Sequence, residues 1–402
     1  MSCSASSRAG TFRCATQGDL DERWTARMTV EPRGTQPGGT DSSHAGQEPI
    51  TVHLFPSPAR RMVNPYLSML TAALREQGVD VQALHGRSGA AGGRGIVHVH
   101  WPELNLHSGK LRWALWGTGK LIVQVVAARR RGLPVVWTVH NLQAHDGSRP
   151  VLQRILWAAW PRLVTGWLSL SRNGVDRAQD AFRPLRRRPS RVVPHGDYAP
   201  VVHAPDRAVA RGRLGLPLES RVLALVGRIR PYKGAEALVE AVAASPSEDL
   251  RLVVGGACDD APLRAALERT AAADPRVRLL LETLHQEQVD DVLAAADLVV
   301  LPFRSVFNSG SVLLCLTAGR PVLAPRTPVF DELAAEVGAG WLHLYDGDLT
   351  PEVLERVLAE TTTLTGEPDL RRHRWENVAA EHLAFYERLL RRSTARAGEG
   401  RR

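Results

Sequence analysis

The sequence predicts an α/β protein made of two doubly wound domains that face one another. Three observations carry that expectation. The chain has 402 residues, more than one hydrophobic core comfortably serves. Short apolar runs alternate with helix-period segments, the pattern of parallel sheets covered by helices. The alternation occurs twice, and a Pro- and Ala-rich stretch over residues 194–218 separates the two sets. Such a break reads as an interdomain linker.

Residues 1–49 are rich in Ser, Gly, Thr and Arg and lack an apolar segment, so they read as a disordered tail and not as a signal peptide. Met28 offers an alternative start within that tail. The first domain, residues 50–195, opens with a strand over 50–55, a helix over 64–77 stopped by Gly78, and a strand over 79–84. Next come a strand over 96–99, a helix over 108–130, a strand over 134–139 and a helix over 151–160. A strand over 167–170, a helix over 172–182 and a strand over 191–193 close the set. After a linker over 196–218, the second domain runs from 219 to 367. Its expected strands are 222–226, 250–254, 277–281, 298–301, 322–324 and 341–344. Its helices span 235–244, 261–271, 286–295, 311–318 and 351–360. Thr350-Pro351-Glu352 opens the last of these with a cap, a proline in the first turn and an acid at the positive pole. A long two-faced helix over 368–391 is placed to return to the first domain, ahead of a basic tail over 392–402.

Bulk properties narrow the function classes. The formal net charge of +9 is unevenly distributed: residues 51–200 hold 21 Lys and Arg against seven Asp and Glu, whereas 201–380 hold 19 against 26. A basic first half suits an anionic partner, and membrane surface, lipid phosphate and nucleic acid all stay open. The longest apolar stretch, 113–128, is interrupted by Lys120, which argues against a membrane span. Cys3, Cys14, Cys258 and Cys315 have neither paired nor metal-like spacing, which points to a reducing compartment without disulfides or structural zinc. Seven of the ten tryptophans lie between Trp101 and Trp167. Trp113/Trp116 and Trp157/Trp160 are each spaced to share a helix face. Core packing is the default for such pairs. With Arg129-Arg130-Arg131 and Arg186-Arg187-Arg188 near them in sequence, they also fit a protein resting on an anionic membrane.

The most informative segment is Gly227-Arg228-Ile229-Arg230-Pro231-Tyr232-Lys233-Gly234. A strand runs into a glycine, and two cations five residues apart follow before a helix. Arg228 can grip a phosphate with two parallel hydrogen bonds, Lys233 adds a point charge, and the helix amides add partial positive charge. A strand-to-helix turn with solvated charges is the plainer alternative. Position favours a diphosphate receptor, because ligands of open α/β sheets bind at the carboxyl ends of strands. In the first half, His98-Val99-His100-Trp101-Pro102-Glu103 and Thr138-Val139-His140-Asn141 end two strands. His98 reads as a packed residue, whereas His100, Glu103 and His140 are placed at the cleft. There Glu103 or a neutral His can serve a hydroxyl as base or hydrogen-bond partner. Asn64-Pro65-Tyr66 either shapes an acceptor pocket or starts a helix. Asp346-Gly347-Asp348 reads as a turn and not as a metal triplet.

Gly227 to Gly234 resembles the donor-diphosphate loop of GT-B-fold glycosyltransferases. Val193-Pro194-His195-Gly196 resembles the hinge these enzymes place before their second domain. Ala296-Asp297 through Pro302, and Gly319-Arg320-Pro321, resemble the flanks of their nucleotide pocket. The resemblance implies a glycosyltransferase of group 1 type that moves a hexose from a nucleotide-diphosphate sugar to a glycan or lipid-linked acceptor, GDP-mannose being the favoured donor. It implies no cofactor and no metal. The cysteine usage points to a cytoplasmic location, the aromatic and basic segments leave peripheral contact with the inner face of an anionic membrane open, and without a recognised nucleic-acid motif no nucleic acid is expected. The resemblance places Gly227, Arg228 and Lys233 on the donor; Asn308-Ser309-Gly310-Ser311 joins them as a hydroxyl- and amide-rich helix start suited to a phosphate or sugar hydroxyls, an ordinary cap by Ser309 or Ser311 being the plainer alternative. Asn64, Tyr66, His100, Trp101, Glu103 and His140 fall on the acceptor, and His195 with Gly196 at the hinge. Glu103, His140, Arg228 and Lys233 are the expected catalytic set, with Glu103 the base if the reaction inverts configuration, and retention and inversion both stay open. The sequence departs from many members in one respect: Val306 and Leu314 stand where a pair of glutamates is common. Three alternatives accompany this reading: a sugar-nucleotide epimerase of the same fold, a noncatalytic domain pair and a nucleic-acid-binding protein.

Overall fold

The computed structural model describes residues 49–59, 64–89, 94–142 and 149–399. Of the expected N-terminal tail this includes Pro49 alone; Cys3, Cys14 and Met28 lie outside the described residues, as do residues 400–402.

Two six-stranded parallel sheets form the frame. The first contains β1 (Thr51–Phe55), β2 (Asp80–Ala83), β3 (Gly95–Val99), β4 (Val135–Val139), β5 (Gly166–Ser169) and β6 (Ser190–Val192), in the order β2-β1-β3-β4-β5-β6. The second contains β7 (Arg221–Val226), β8 (Leu250–Gly255), β9 (Val277–Leu280), β10 (Leu298–Val300), β11 (Val322–Pro325) and β12 (Leu342–Tyr345), in the order β12-β11-β10-β7-β8-β9. Every position of β3, β4 and β5 is buried. That burial on two faces is why these strands read as mainly apolar runs, with His98, Thr138 and Ser169 their polar members, and not as alternating ones.

Helices cover both faces of each sheet. On one face of the first sheet lie α1 (Tyr66–Glu76) and, from the far end of the chain, α12 (Trp375–Glu399); Leu70 and Leu74 of the former share a core with Phe385, Tyr386 and Leu389 of the latter. The opposite face carries α2 (Leu111–Arg130), α3 (Pro150–Leu163) and α4 (Arg172–Ala181), packed around Trp137, Trp160 and Trp167. The second sheet is covered by α5 (Arg207–Arg213), α6 (Ala235–Ala244), α7 (Ala261–Ala273), α8 (Gln286–Ala295), α9 (Gly310–Thr317), α10 (Pro328–Val337) and α11 (Pro351–Thr361).

Four differences from the sequence reading have physical causes. The stretch read as linker carries α5, which packs on α8 because Arg211, 1 % exposed, reaches the Ala295 carbonyl at 3.1 Å and the Asp297 carboxylate at 2.8 Å. The helix α10 has no counterpart in the reading, although Thr327-Pro328 opens it with the same cap and proline recognised at Thr350-Pro351. The basic tail expected after residue 391 continues as helix to Glu399. Finally, Trp157 stacks on Trp137 at 5.7 Å and Trp160 is fully buried, so this pair belongs to the core and not to a membrane face.

Both sheets reverse direction at one point. In the first sheet β1 and β3 are neighbours with outward-running connections, and in the second β7 and β10 are. Loops leaving the carboxyl ends at such a point diverge and open a crevice. The residues following β3 are His100 to Glu103, and those following β7 are Gly227 to Gly234.

Candidate active site

Lys233 is the centre of the candidate site in the second half. The chain leaves β7 at Gly227, passes through a short turn over Pro231–Lys233 and enters α6 through Gly234. Gly234 has φ +70°, and a Cβ there would stand 2.1 Å from the Pro302 carbonyl oxygen, so no other residue fits. This tight turn points Lys233 inward. Its ammonium donates to Ser311 Oγ at 3.3 Å and lies 5.9 Å from the centroid of the Phe303 ring. A Cβ on Gly227 would stand 3.0 Å from Lys233 Nζ, which shows how closely the strand end wraps the ammonium. The side chain is 7 % exposed. Burial, with a further push from Arg230, brings its pKa down to about 8. No carboxylate among the described residues pairs with it. A buried ammonium with one hydroxyl partner is costly unless an anion completes it.

Arg228 does not converge on the same spot. Its guanidinium is half-exposed and ion-paired with Asp259. Asn308 donates to the His140 carbonyl oxygen at 3.3 Å and so joins the two halves. Ser309 caps α9 through the Val312 amide at 3.4 Å, leaving Ser311 to meet Lys233. Gly310 backs onto Tyr198 and His195. At the positions where glutamates are common, the Val306 carbonyl accepts from Arg177 at 3.1 Å, and Leu314 packs against the cores of both halves. A carboxylate at Leu314 would therefore displace an apolar contact. Asp297 has a framework role: besides Arg211 it accepts from the Val222 amide at 2.7 Å.

Histidines dominate the candidate site in the first half. His98 is locked between Tyr386 Oη at 2.7 Å and Thr138 Oγ1 at 2.8 Å, a packed residue as its strand position suggested. His100 Nδ1 and His140 Nε2 lie 2.9 Å apart, one ring donating to the other. Burial, reinforced by neighbouring histidines, lowers both pKa values well below the ordinary value and keeps both rings neutral. That bond leaves Nδ1 as the His140 nitrogen for a ligand, and Trp101 stacks on the ring at 4.4 Å to fix its plane. Glu103 lies in the 3-10 turn Pro102–His107, where Asn141 donates to its carboxylate at 3.4 Å. Burial raises its pKa to about 7. Tyr66 is fully buried, its ring 5.1 Å from His140 and 4.7 Å from His195, so it forms the floor beneath these groups. Asn64 is exposed and accepts from the Tyr66 amide at 2.9 Å, the helix-start alternative of the sequence reading.

At the segment expected to be a hinge, the His195 carbonyl pairs with His373 Nδ1 at 2.8 Å, Trp375 Nε1 donates to the Asp197 carbonyl at 2.9 Å, and Gly196 lies against the Trp375 ring with no room for a Cβ. A residue that sequence reasoning missed closes the crevice: the Glu332 carboxylate of α10 accepts from the Arg172 amide at 2.8 Å and the Asn173 amide at 3.2 Å, at the positive end of α4. Its signal was the unread Thr327-Pro328 helix start. The crevice between the halves is lined by Leu170, Ser171, Asn308, Ser309, Leu313 and Glu332, among others. Among the described residues no group of three His, Cys, Asp or Glu side chains is placed to hold a metal ion, and Asp346-Gly347-Asp348 forms an exposed bend with Asp346 paired to Arg326 at 3.1 Å.

Comparison with known proteins decides the family. The model of the family described as glycosyl transferases group 1 matches residues 220–359, the half that holds Lys233. The GDP-mannose:glycolipid 4-beta-D-mannosyltransferase of Xanthomonas campestris pv. campestris is 30 % identical over 346 residues, covering 84 % of this chain and 92 % of that protein. The chain belongs to the group 1 glycosyltransferases. As such a transferase it moves a hexose from a nucleotide sugar. Solved structures give the fold: the sucrose-phosphate synthase of Thermosynechococcus elongatus superposes with a TM-score of 0.55 at 17 % identity, over 88 % of this chain and 99 % of that one. The Anabaena protein HepE in complex with UDP-glucose gives 0.53 at 15 % identity, over 88 % of this glycosyltransferase and all of that chain. The two sheets of this glycosyltransferase are thus the two halves of a GT-B fold.

Proposed function

We propose that the enzyme transfers mannose from GDP-mannose to a lipid-linked saccharide, without a catalytic metal, in the cytoplasm at the inner face of a membrane. The observation that carries this reading is the buried Lys233 ammonium that lacks a carboxylate partner at the sheet's switch point. A diphosphate is the anion that such a position takes. The name of the Xanthomonas relative supports mannose, GDP and a glycolipid acceptor.

In the reaction the bond from the sugar's anomeric carbon to the diphosphate oxygen breaks, and its electron pair leaves with GDP. The acceptor oxygen forms the new bond, and its proton passes to Glu103. GDP-mannose holds its sugar through an α linkage, so a β product means inversion and a base on the acceptor side. Glu103, with a pKa of about 7, is half ionised at neutral pH and suited to that task. Neutral His140 orients the acceptor hydroxyl through Nδ1, with Trp101 beside it and His100 holding the ring. Lys233 stabilises the charge building on the departing diphosphate, which is the role a metal fills elsewhere. Ser311 and the first amides of α9 add donors, while Gly227 leaves space for the phosphates to approach. Arg228 joins them by releasing Asp259. The contact of Asn308 with His140 and that of Glu332 with α4 close the halves over the reaction and exclude water.

A panel of labelled sugar nucleotides incubated with the enzyme, EDTA and a bacterial lipid extract tests this reading. The expected outcome is lipid-phase label from GDP-mannose, undiminished by EDTA. Isomerised donor without transfer would instead identify an epimerase. Failure to turn over any donor would leave a noncatalytic domain pair, and salt-dependent RNA or DNA binding without donor binding a nucleic-acid-binding protein.

A further inference from the structure

No helix among the described residues is long and apolar enough to cross a membrane, yet one helix presents a row of large apolar side chains to solvent. The inner stripe of α2 is Ala114, Leu121, Val125 and Ala128, all buried. On its outer side Leu111, Trp113, Leu115 and Trp116 are each 50 % exposed or more, and Val123 is 67 % exposed. A contiguous apolar face of this kind marks an interaction surface. We propose that the outer face of α2, together with the start of α3, docks the enzyme on an anionic phospholipid bilayer. The proposal rests on the lipid-linked acceptor inferred above and names the surface that would bring the cleft to that acceptor.

Three observations select a bilayer as the occupant. Trp113, Trp116, Lys120 and Val123 recur at helical spacing along one face, over roughly 15 Å of axis. The aromatics are interleaved with cations, since the Arg112 guanidinium lies 5.4 Å from the Trp113 ring centre and the Lys120 ammonium 4.9 Å from that of Trp116. Rings with cations beside them are suited to the headgroup layer. The neighbouring helix extends the surface: Val151 and Ile155 of α3 are 66 % and 61 % exposed, and Arg129 ties the end of α2 to the Leu163 carbonyl at 2.7 Å. Charge completes the argument. Residues 108–163 contain nine Lys and Arg and a single acid, Asp146. A second copy of the chain would meet this surface with like charge, whereas anionic lipid complements it.

Flotation of the full chain with vesicles tests the proposal, using phosphatidylglycerol mixed with phosphatidylcholine against phosphatidylcholine alone. The wild type is expected to float with the anionic vesicles, and Trp113→Glu combined with Trp116→Glu to lower the bound fraction by about tenfold or more. The same variant should keep wild-type turnover of GDP-mannose on a soluble saccharide acceptor, which shows that it is folded. Undiminished vesicle binding by the variant overturns the proposal. So does a wild type that turns over donor but ignores anionic vesicles, an outcome that leaves the proposed activity standing. A wild-type dimer that the variant converts to monomer, without vesicle binding, overturns it in favour of a second copy. Vesicle binding lost in the variant, in a protein that turns over no donor, supports the docking surface and refutes the activity.

Discussion

Lys233→Met is expected to lower kcat by roughly 10²–10³-fold, the range seen when one preorganised group facing transition-state charge is removed. Methionine keeps the buried stem in place between Gly227, Ser311 and Phe303, so the fold should survive and the loss should report charge and not packing. Lys233→Ala removes charge and stem together and should lose at least as much activity, with some stability lost as well. Arg228→Ala should cost less. Its guanidinium is half-exposed and already paired with Asp259, and exposed pairs of this kind are worth on the order of 0–1 kcal/mol. Steady-state kinetics with GDP-mannose separates the two: equal, small effects at both positions would remove Lys233 from its assigned role.

Glu103→Gln should lower kcat by roughly 10²–10⁴-fold, the contribution of a positioned general base. The substitution preserves shape and keeps an oxygen for the Asn141 amide to donate to, so a structural collapse is not the expected cause. The pH dependence gives a second signature. Glu103 acts as a base when ionised, so kcat/KM should rise with pH up to about 7. Lys233 acts when protonated, so kcat/KM should fall again above about 8. A narrow bell results, and in Glu103→Gln its acidic limb should vanish. Stability runs the opposite way with pH. The folded chain holds a proton on Glu103 that the unfolded chain releases near the ordinary carboxylate pKa, so this contribution is full below that pKa and fades as pH rises to about 7. A variant that keeps the acidic limb would assign that limb to another group.

How far the sequence disclosed this arrangement depends on the kind of signal. The sheets were legible because strands buried on both faces leave mainly apolar runs, as at Val135 to Val139, where Thr138 is the one polar residue, and at Val222 to Val226. The Lys233 loop was legible as a strand-to-helix turn because a strand end, a glycine, two cations and a helix start fall within one short segment; that it binds an anion is the proposal made above. Three features were not. Arg228 and Lys233 look equivalent in sequence, and their divergence follows from the Gly234 turn and from Asp259, which lies 31 positions away. The two tryptophan pairs look equivalent as well; Trp157/Trp160 faces Trp137 and Phe182, while Trp113/Trp116 faces solvent, a difference set by how α2 and α3 rest on the sheet. Glu332 at the start of α4 couples residues about 160 apart, a distance at which local patterns carry no information.

The central claim is that Lys233 waits, buried and short of a counter-ion, for the diphosphate of the donor. Calorimetric titration of GDP into the full chain at pH 8, repeated in buffers of different ionisation enthalpy, tests it most directly. An ammonium with a pKa of about 8 is half protonated there, and an arriving anion raises that pKa, so binding should take up as much as about half a proton. Lys233→Met should bind GDP at least about tenfold more weakly and lose that uptake, a difference of about 1.4 kcal/mol. Equal affinity and equal proton uptake in the two proteins would contradict the account.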